Sequence, residues 1–143
     1  MTPAEMYESL KKAYAQLAAT SKLRTIPTGD AVQLFRGRLP VEYKPLLTDG
    51  EIAALKNPET IDFHGDVAGR SFWKKDGKDK EMKLTCDFPH LNARGHYLQA
   101  CVWLGFLFDV DPATFSYRPE ALPEADAKLM RECARDALRA AAK

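Results

Sequence analysis

The chain has 143 residues, with 21 Lys plus Arg, 20 Asp plus Glu, three His and a formal net charge of +1. That length suits one domain, residues 1–143, with a core of its own. The balanced charge, without a basic block, excludes a global field for nucleic acid or for an anionic membrane. Cys86, Cys101 and Cys133 are too few and too scattered for a disulfide framework or a zinc knuckle, so they are expected as packed thiols. The longest apolar run, residues 97–108, is too short to span a bilayer. The opening "MTPAEMYESLKK" is charged and amphipathic, unlike a signal peptide, and leaves the compartment open.

The first predicted element is a helix opening on "TPAE". Thr2 can cap it, Pro3 suits the first helical position and Glu5 completes a capping box. Met6, Leu10, Ala13, Tyr14, Leu17 and Ala18 recur at helical spacing and are expected to be buried, leaving Lys11, Lys12 and Gln16 wet. Residues 23–26 read as a short strand, ended by Pro27 and Gly29. Asp30 then suits the cap of a helical turn carrying Val32, Leu34 and Phe35. "TDGEIAALKN" predicts a short helix capped by Thr48 or Asp49.

Residues 61–86 predict extended chain with turns. Within them "KKDGKDK" holds Asp76-Gly77, a hairpin signal with a solvated charged tip. A central helix begins near Asn92 and is apolar on nearly every side from Tyr97 to Phe108, which predicts burial all round. "DVDP" ends it. The last helix opens at Leu122-Pro123. Its Leu129, Met130, Cys133, Ala134, Ala137 and Leu138 are expected inside, and Lys128, Arg131, Glu132, Arg135 and Asp136 outside. Helices interleaved with a few short strands make the fold class α/β.

The chemistry concentrates in "TCDFPHLNARGHYLQACVWLGFLF". A histidine base needs a partner that fixes its tautomer and stabilises its imidazolium, and a carboxylate three residues earlier on a tight loop can reach the far ring nitrogen. Asp87 and His90 therefore suit the orienter and general-base roles. Pro89 stiffens the loop, and Asn92 starts a helix with free N–H groups beside it. The longer string, Asp87, His90, Asn92, Gly95 and the apolar helix through Trp103, resembles the last block of the SGNH/GDSL hydrolases. The resemblance is firm over residues 87–108. It implies a three-layer α/β/α, flavodoxin-like sandwich, ester hydrolysis without a cofactor, and a small-molecule or carbohydrate ester as substrate. It also implies a catalytic Ser on an upstream Gly-Asp-Ser turn.

That serine is missing. "TGDAV" imitates the turn with Ala31 in the serine position. It reads either as a decayed nucleophile turn or as an unrelated strand end, with the true block on sequence outside this chain. The second is favoured, because the gap from Ala31 to Asp87 is too short for the intervening elements. Ser9, Ser21, Ser71 and Ser116 have no nucleophile context, and Cys86 beside Asp87 is expected to be buried. The chain is thus expected to be the C-terminal part of an SGNH-like hydrolase, inactive alone. It would pair with itself or with a complementary N-terminal segment to cover an exposed edge and apolar faces. The rival is a non-catalytic interaction module of the same fold. Asp62, His64 and Asp66 fit a solvated turn better than a metal site. Trp103, Phe106 and Phe108 are expected in the core, with Phe72 and Trp73 open.

Overall fold

The computed structural model describes residues 3–40, 48–75, 77 and 81–142. They form a helix-rich mixed α/β fold with one small two-stranded sheet. The chain divides into two compact units, one of Met1–Arg38 with Tyr97–Lys143 and the other of Leu39–His96.

The first unit is helical. Helix α1 (Pro3–Ser21) matches the predicted helix, while Thr2 of its capping box lies outside the described residues. Its end is a left-handed residue, Lys22 (φ 52°), after which the Leu23 N–H returns to the Ala18 carbonyl at 3.1 Å. Helix α2 (Thr28–Arg38) follows, with Asp30 inside its first turn rather than at its cap. The remainder comes from the far end of the chain. It comprises the greater part of α4 (Ala93–Phe108), a 3-10 turn at Pro112–Thr114, and α5 (Glu124–Ala141), which packs on α2 and on that turn.

Phe35, Leu98, Val102, Met130, Cys133 and Ala134 form the core of this unit. Burying each large member contributes about 1.5–3 kcal/mol. Cys101 and Cys133 are buried as expected, and burial pushes the Cys101 thiol up to about 11, so it packs as a hydrophobe.

Four expectations fail here. Residues 23–26 form no strand, because among the described residues no neighbouring strand offers them a ladder, and an isolated strand does not persist in water. The α1 stripe is exposed: Met6, Leu10, Tyr14 and Leu17 all lie at the surface, Leu17 at 54%. Helix α4 is buried along Leu98, Cys101 and Val102 but not around its circumference, since Trp103, Leu104, Leu107 and Phe108 stand in solvent. Arg131 is buried instead of wet. Its guanidinium donates to the Tyr97 hydroxyl at 3.1 Å and to Glu124 at 2.7 Å, which satisfies the charge inside.

The second unit is built on a hairpin. Helix α3 (Asp49–Ala54) starts with the predicted Thr48 cap, whose hydroxyl accepts the Glu51 N–H while Glu51 accepts the Thr48 N–H, a full capping box. Strands β1 (Ala68–Lys75) and β2 (Met82–Leu91) pair antiparallel, as the hairpin signal predicts. Of its charged tip, Asp76 and residues 78–80 lie outside the described residues. Among the described residues no helix is long and apolar enough to cross a membrane.

Candidate functional site

Asp87 and His90 lie on β2, not on a loop as their sequence suggests. Side chains three apart on a regular strand face opposite sides. These two meet because the ladder is irregular: Arg70 faces Asp87, yet Ala68 faces Leu91, so β2 carries extra residues around Pro89. Proline cannot donate to a ladder and suits such a bulge. Across from it, Gly69 has φ 89°, and the Phe63 ring occupies the space a Cβ would need. No other residue fits there without moving Phe63.

The result is a close pair. The His90 Nδ1 lies 2.7 Å from the Asp87 Oδ1. An ionised carboxylate can only accept, so Nδ1 carries the proton and Nε2 is left as the free acceptor of the neutral ring. The His90 side chain is 78% exposed, which presents Nε2 to solvent. The other carboxylate oxygen accepts from Arg70, at 3.2 Å from Nε and 3.1 Å from Nη2. The His90 hydrogen bond, with Arg70 behind it, holds the Asp87 carboxyl below the usual carboxylate range.

Asn92 ties this pair to the helix behind it. Its Oδ1 accepts the Arg94 and Gly95 N–H groups at 3.0 and 3.1 Å, the predicted N-cap of α4. Its Nδ2 donates to the carbonyls of Asp66 at 3.0 Å and Gly69 at 3.1 Å, and its own N–H donates to the Val67 carbonyl. Gly95 is buried against that same carbonyl, where a Cβ would collide.

Arg70 is the site residue that sequence reasoning misses. A two-residue turn at Asp76-Gly77 would set Arg70 opposite Lys83; the observed register sets it opposite Asp87.

Among the described residues no serine stands on this face of the ribbon. Ser71 is the sole serine in the sequence of the second unit, and it sits opposite Cys86, on the other side of the ribbon from Arg70 and Asp87. Its Oγ accepts the Ile61 N–H at 2.8 Å. Cys86 is half-buried rather than buried, and burial pushes its thiol up, away from the reactive thiolate. In the first unit "TGDAV" is no turn. It lies in the first turns of α2, with Ala31 fully buried.

The other candidates resolve as local structure. His64 and Gly65 form a turn with φ 50° and 78°, in which Asp62 accepts the His64 N–H at 2.7 Å. Asp66 is buried, and its Oδ2 accepts the Ala68 N–H. Among the described residues no three His, Cys, Asp or Glu are grouped to hold a metal. Phe72 is exposed, while the Trp73 Nε1 donates to the Glu59 carbonyl at 2.7 Å. Trp103, expected in the core, is 45% exposed, with its Nε1 on the Thr28 hydroxyl at 3.1 Å.

A groove of about 760 Å³ runs along the first unit, between α1, residues 23–30, Trp103 and the end of α5. Leu10, Tyr14, Leu17 and Leu23 line it. One rim is polar. There Asp30 accepts from Tyr7 at 2.7 Å and from Lys11 at 2.6 Å. No family, no curated protein and no solved structure matches this chain.

Proposed function

We propose that Asp87 and His90 are the orienting acid and the general base of a serine-type ester hydrolase of the SGNH/GDSL kind. Its nucleophilic serine is supplied by polypeptide outside residues 1–143. The observation that carries the reading is the 2.7 Å contact from the His90 Nδ1 to Asp87, with the opposite ring nitrogen turned to solvent. The kinship to a three-layer α/β/α sandwich belongs to this reading. The exposed apolar residues of α1 and α4 support it, because part of such a sandwich leaves faces uncovered.

In the complete enzyme the serine hydroxyl attacks the ester carbonyl while the His90 Nε2 takes its proton. Asp87 keeps the ring in register and stabilises the imidazolium. His90 then protonates the departing alcohol, and an acyl-enzyme remains. Water, deprotonated by the same nitrogen, attacks that ester, and the serine leaves with its proton restored. No cofactor enters these steps. Loss of the nucleophile in a serine protease costs roughly 10⁶ in turnover, so this chain by itself is expected to lack enzymic rates.

A second reading is a non-catalytic binding module of the same fold. The fully buried Ala31 and the position of Ser71 across the ribbon favour it.

Hydrolysis of p-nitrophenyl acetate by the purified chain separates the two readings, since the ester also acylates exposed imidazole directly. The hydrolase reading expects a slow rate near that of free imidazole, reduced in His90→Ala to the background of the exposed His64 and His96 and reduced several-fold in Asp87→Asn, with both variants melting like the parent. Rates indifferent to both substitutions would sink the catalytic reading. Fast turnover with fluorophosphonate labelling would instead show that the chain holds its own nucleophile.

A further inference from the structure

Resting on the hydrolase reading, we infer that Arg70 is a specificity residue, and that the ester taken at this site carries a negatively charged group in its alcohol part.

Arg70 and His90 stand one carboxylate apart. Asp87 accepts His90 on Oδ1, with Nδ1 at 2.7 Å, and Arg70 on Oδ2, at 3.2 Å from Nε and 3.1 Å from Nη2. The Arg70 side chain is 63% exposed and that of His90 is 78% exposed, whereas Asp87 between them is 18% exposed. The carboxylate thus lies beneath, and the guanidinium and the imidazole form the surface that a ligand meets.

A guanidinium has five N–H donors in a planar fork. The contacts to Asp87 use Nε and Nη2, so the Nη1 donors are left for a ligand. Asp87 also holds the guanidinium in place, which lowers the cost of ordering it around an anion. The alcohol oxygen of the ester must come within hydrogen-bond reach of the His90 Nε2 to be protonated as it leaves. The rest of that alcohol then lies against the surface that Arg70 shares, where an anionic substituent meets the fork.

The other charges on this side of the ribbon agree in sign. Arg70 is followed there by Phe72 and Lys74, which face Thr85 and Lys83 across the ladder. Lys74 and Lys83 are exposed and lie about 14 Å along the strands from Arg70, at about 3.4 Å per residue. They are too far to touch a small substrate, but their field draws an anion in. Asp87 is the one acid at the paired positions of this side, and Arg70 offsets it; Glu81 lies beyond the ladder.

Three acetate esters test the inference on the full chain: p-nitrophenyl acetate, an analogue with a sulfonate on the ring and an analogue with a trimethylammonium group. Each rate at low salt is corrected by that of the same protein carrying His90→Ala, which removes the background of His64 and His96, and is divided by the rate with free imidazole, which removes differences in leaving group. The sulfonate ester should be preferred to the neutral one by about fivefold, the upper end for an exposed charge pair. The ammonium ester should be disfavoured, and high salt should shrink both effects. Arg70→Gln should remove the preference. The comparison is a ratio within one variant, so any effect of Arg70 on His90 through Asp87 divides out. Arg70→Lys, which retains the charge without the fork, should keep part of the preference.

Equal corrected rates for the three esters in the parent would overturn the inference and leave the hydrolase reading in place. A sulfonate preference unchanged in Arg70→Gln, with the variant melting like the parent, would take the role from Arg70 and overturn it as well. No His90-dependent rate with any of the esters would remove the hydrolase reading, and the inference with it.

Discussion

The ring of His90 is set by a break in a strand. Were β2 regular, Asp87 and His90 would point to opposite faces; the bulge around Pro89 brings them to 2.7 Å. An imidazole so held carries its proton on Nδ1, whereas the free ring has no carboxylate to select that tautomer. Long-range nitrogen–proton NMR correlation on the neutral ring should therefore report the Nδ1–H tautomer at His90, and Asp87→Ala should lose that preference. An Nε2–H ring in the parent would show that the pair does not persist in solution. The Asp87–His90 contact was legible because both partners are local in sequence, and Asn92 was legible because an N-cap is a local motif. Arg70 was not, since its role depends on a register that the hairpin signal at Asp76-Gly77 misplaces. Arg131 was misread for a related reason. Helical periodicity puts it on the charged side, but Tyr97 and Glu124 offer it two partners from within the fold.

Among the elements, helices were read more faithfully than their surroundings. The start of α1, the Thr48 cap of α3, the start of α4 and the opening of α5 all follow from local capping and proline chemistry. What a face packs against is not local information. The stripe on α1 has helical spacing and still faces a groove rather than a core. The contrast with α5 is measurable. Leu17→Lys, at a surface position, should move stability by no more than about 0.5 kcal/mol. Met130→Ala, at a fully buried one, should cost about 2–5 kcal/mol. Urea unfolding followed by helical circular dichroism would test both. A large loss from Leu17→Lys would place α1 in a core after all.

Across the whole molecule, acid is the condition to which the first unit is tuned. The Arg38 guanidinium, 2.8 Å from Asp136, holds that carboxyl below its ordinary range, and Arg131 does the same for Glu124. Burial raises the Asp30 carboxyl, but the hydrogen bonds from Lys11 and Tyr7 outweigh it and leave it lowered. A carboxylate whose folded value is depressed adds stability in full above its unfolded value of about 3.9 and loses it as the pH falls through the folded value. Stability should thus be level near neutrality and fall below about pH 4. Arg38→Met should remove part of that acid-side fall. At neutral pH it should cost only about 0.5 kcal/mol, because the pair is partly solvated. Urea midpoints measured across the acid range would show it, and an unchanged slope in the variant would refute the assignment. At this scale the α/β class was legible from interleaved helix and strand signals. The division into two units was not, because it depends on contacts between distant stretches.

That division has a consequence for synthesis. The first unit is discontinuous, with residues 39–96 lying between its two stretches. Its α2 finds α5 across a long interval, with Arg38 and Asp136 98 positions apart. As the chain leaves the ribosome, α2 emerges well before the α5 that covers it, while the hairpin encoded between those two helices has all of its own strand partners within one short stretch. The second unit can thus be complete while the first is still waiting. During that interval Phe35 and Ala31, later the driest residues of α2, are open to whatever meets the nascent chain.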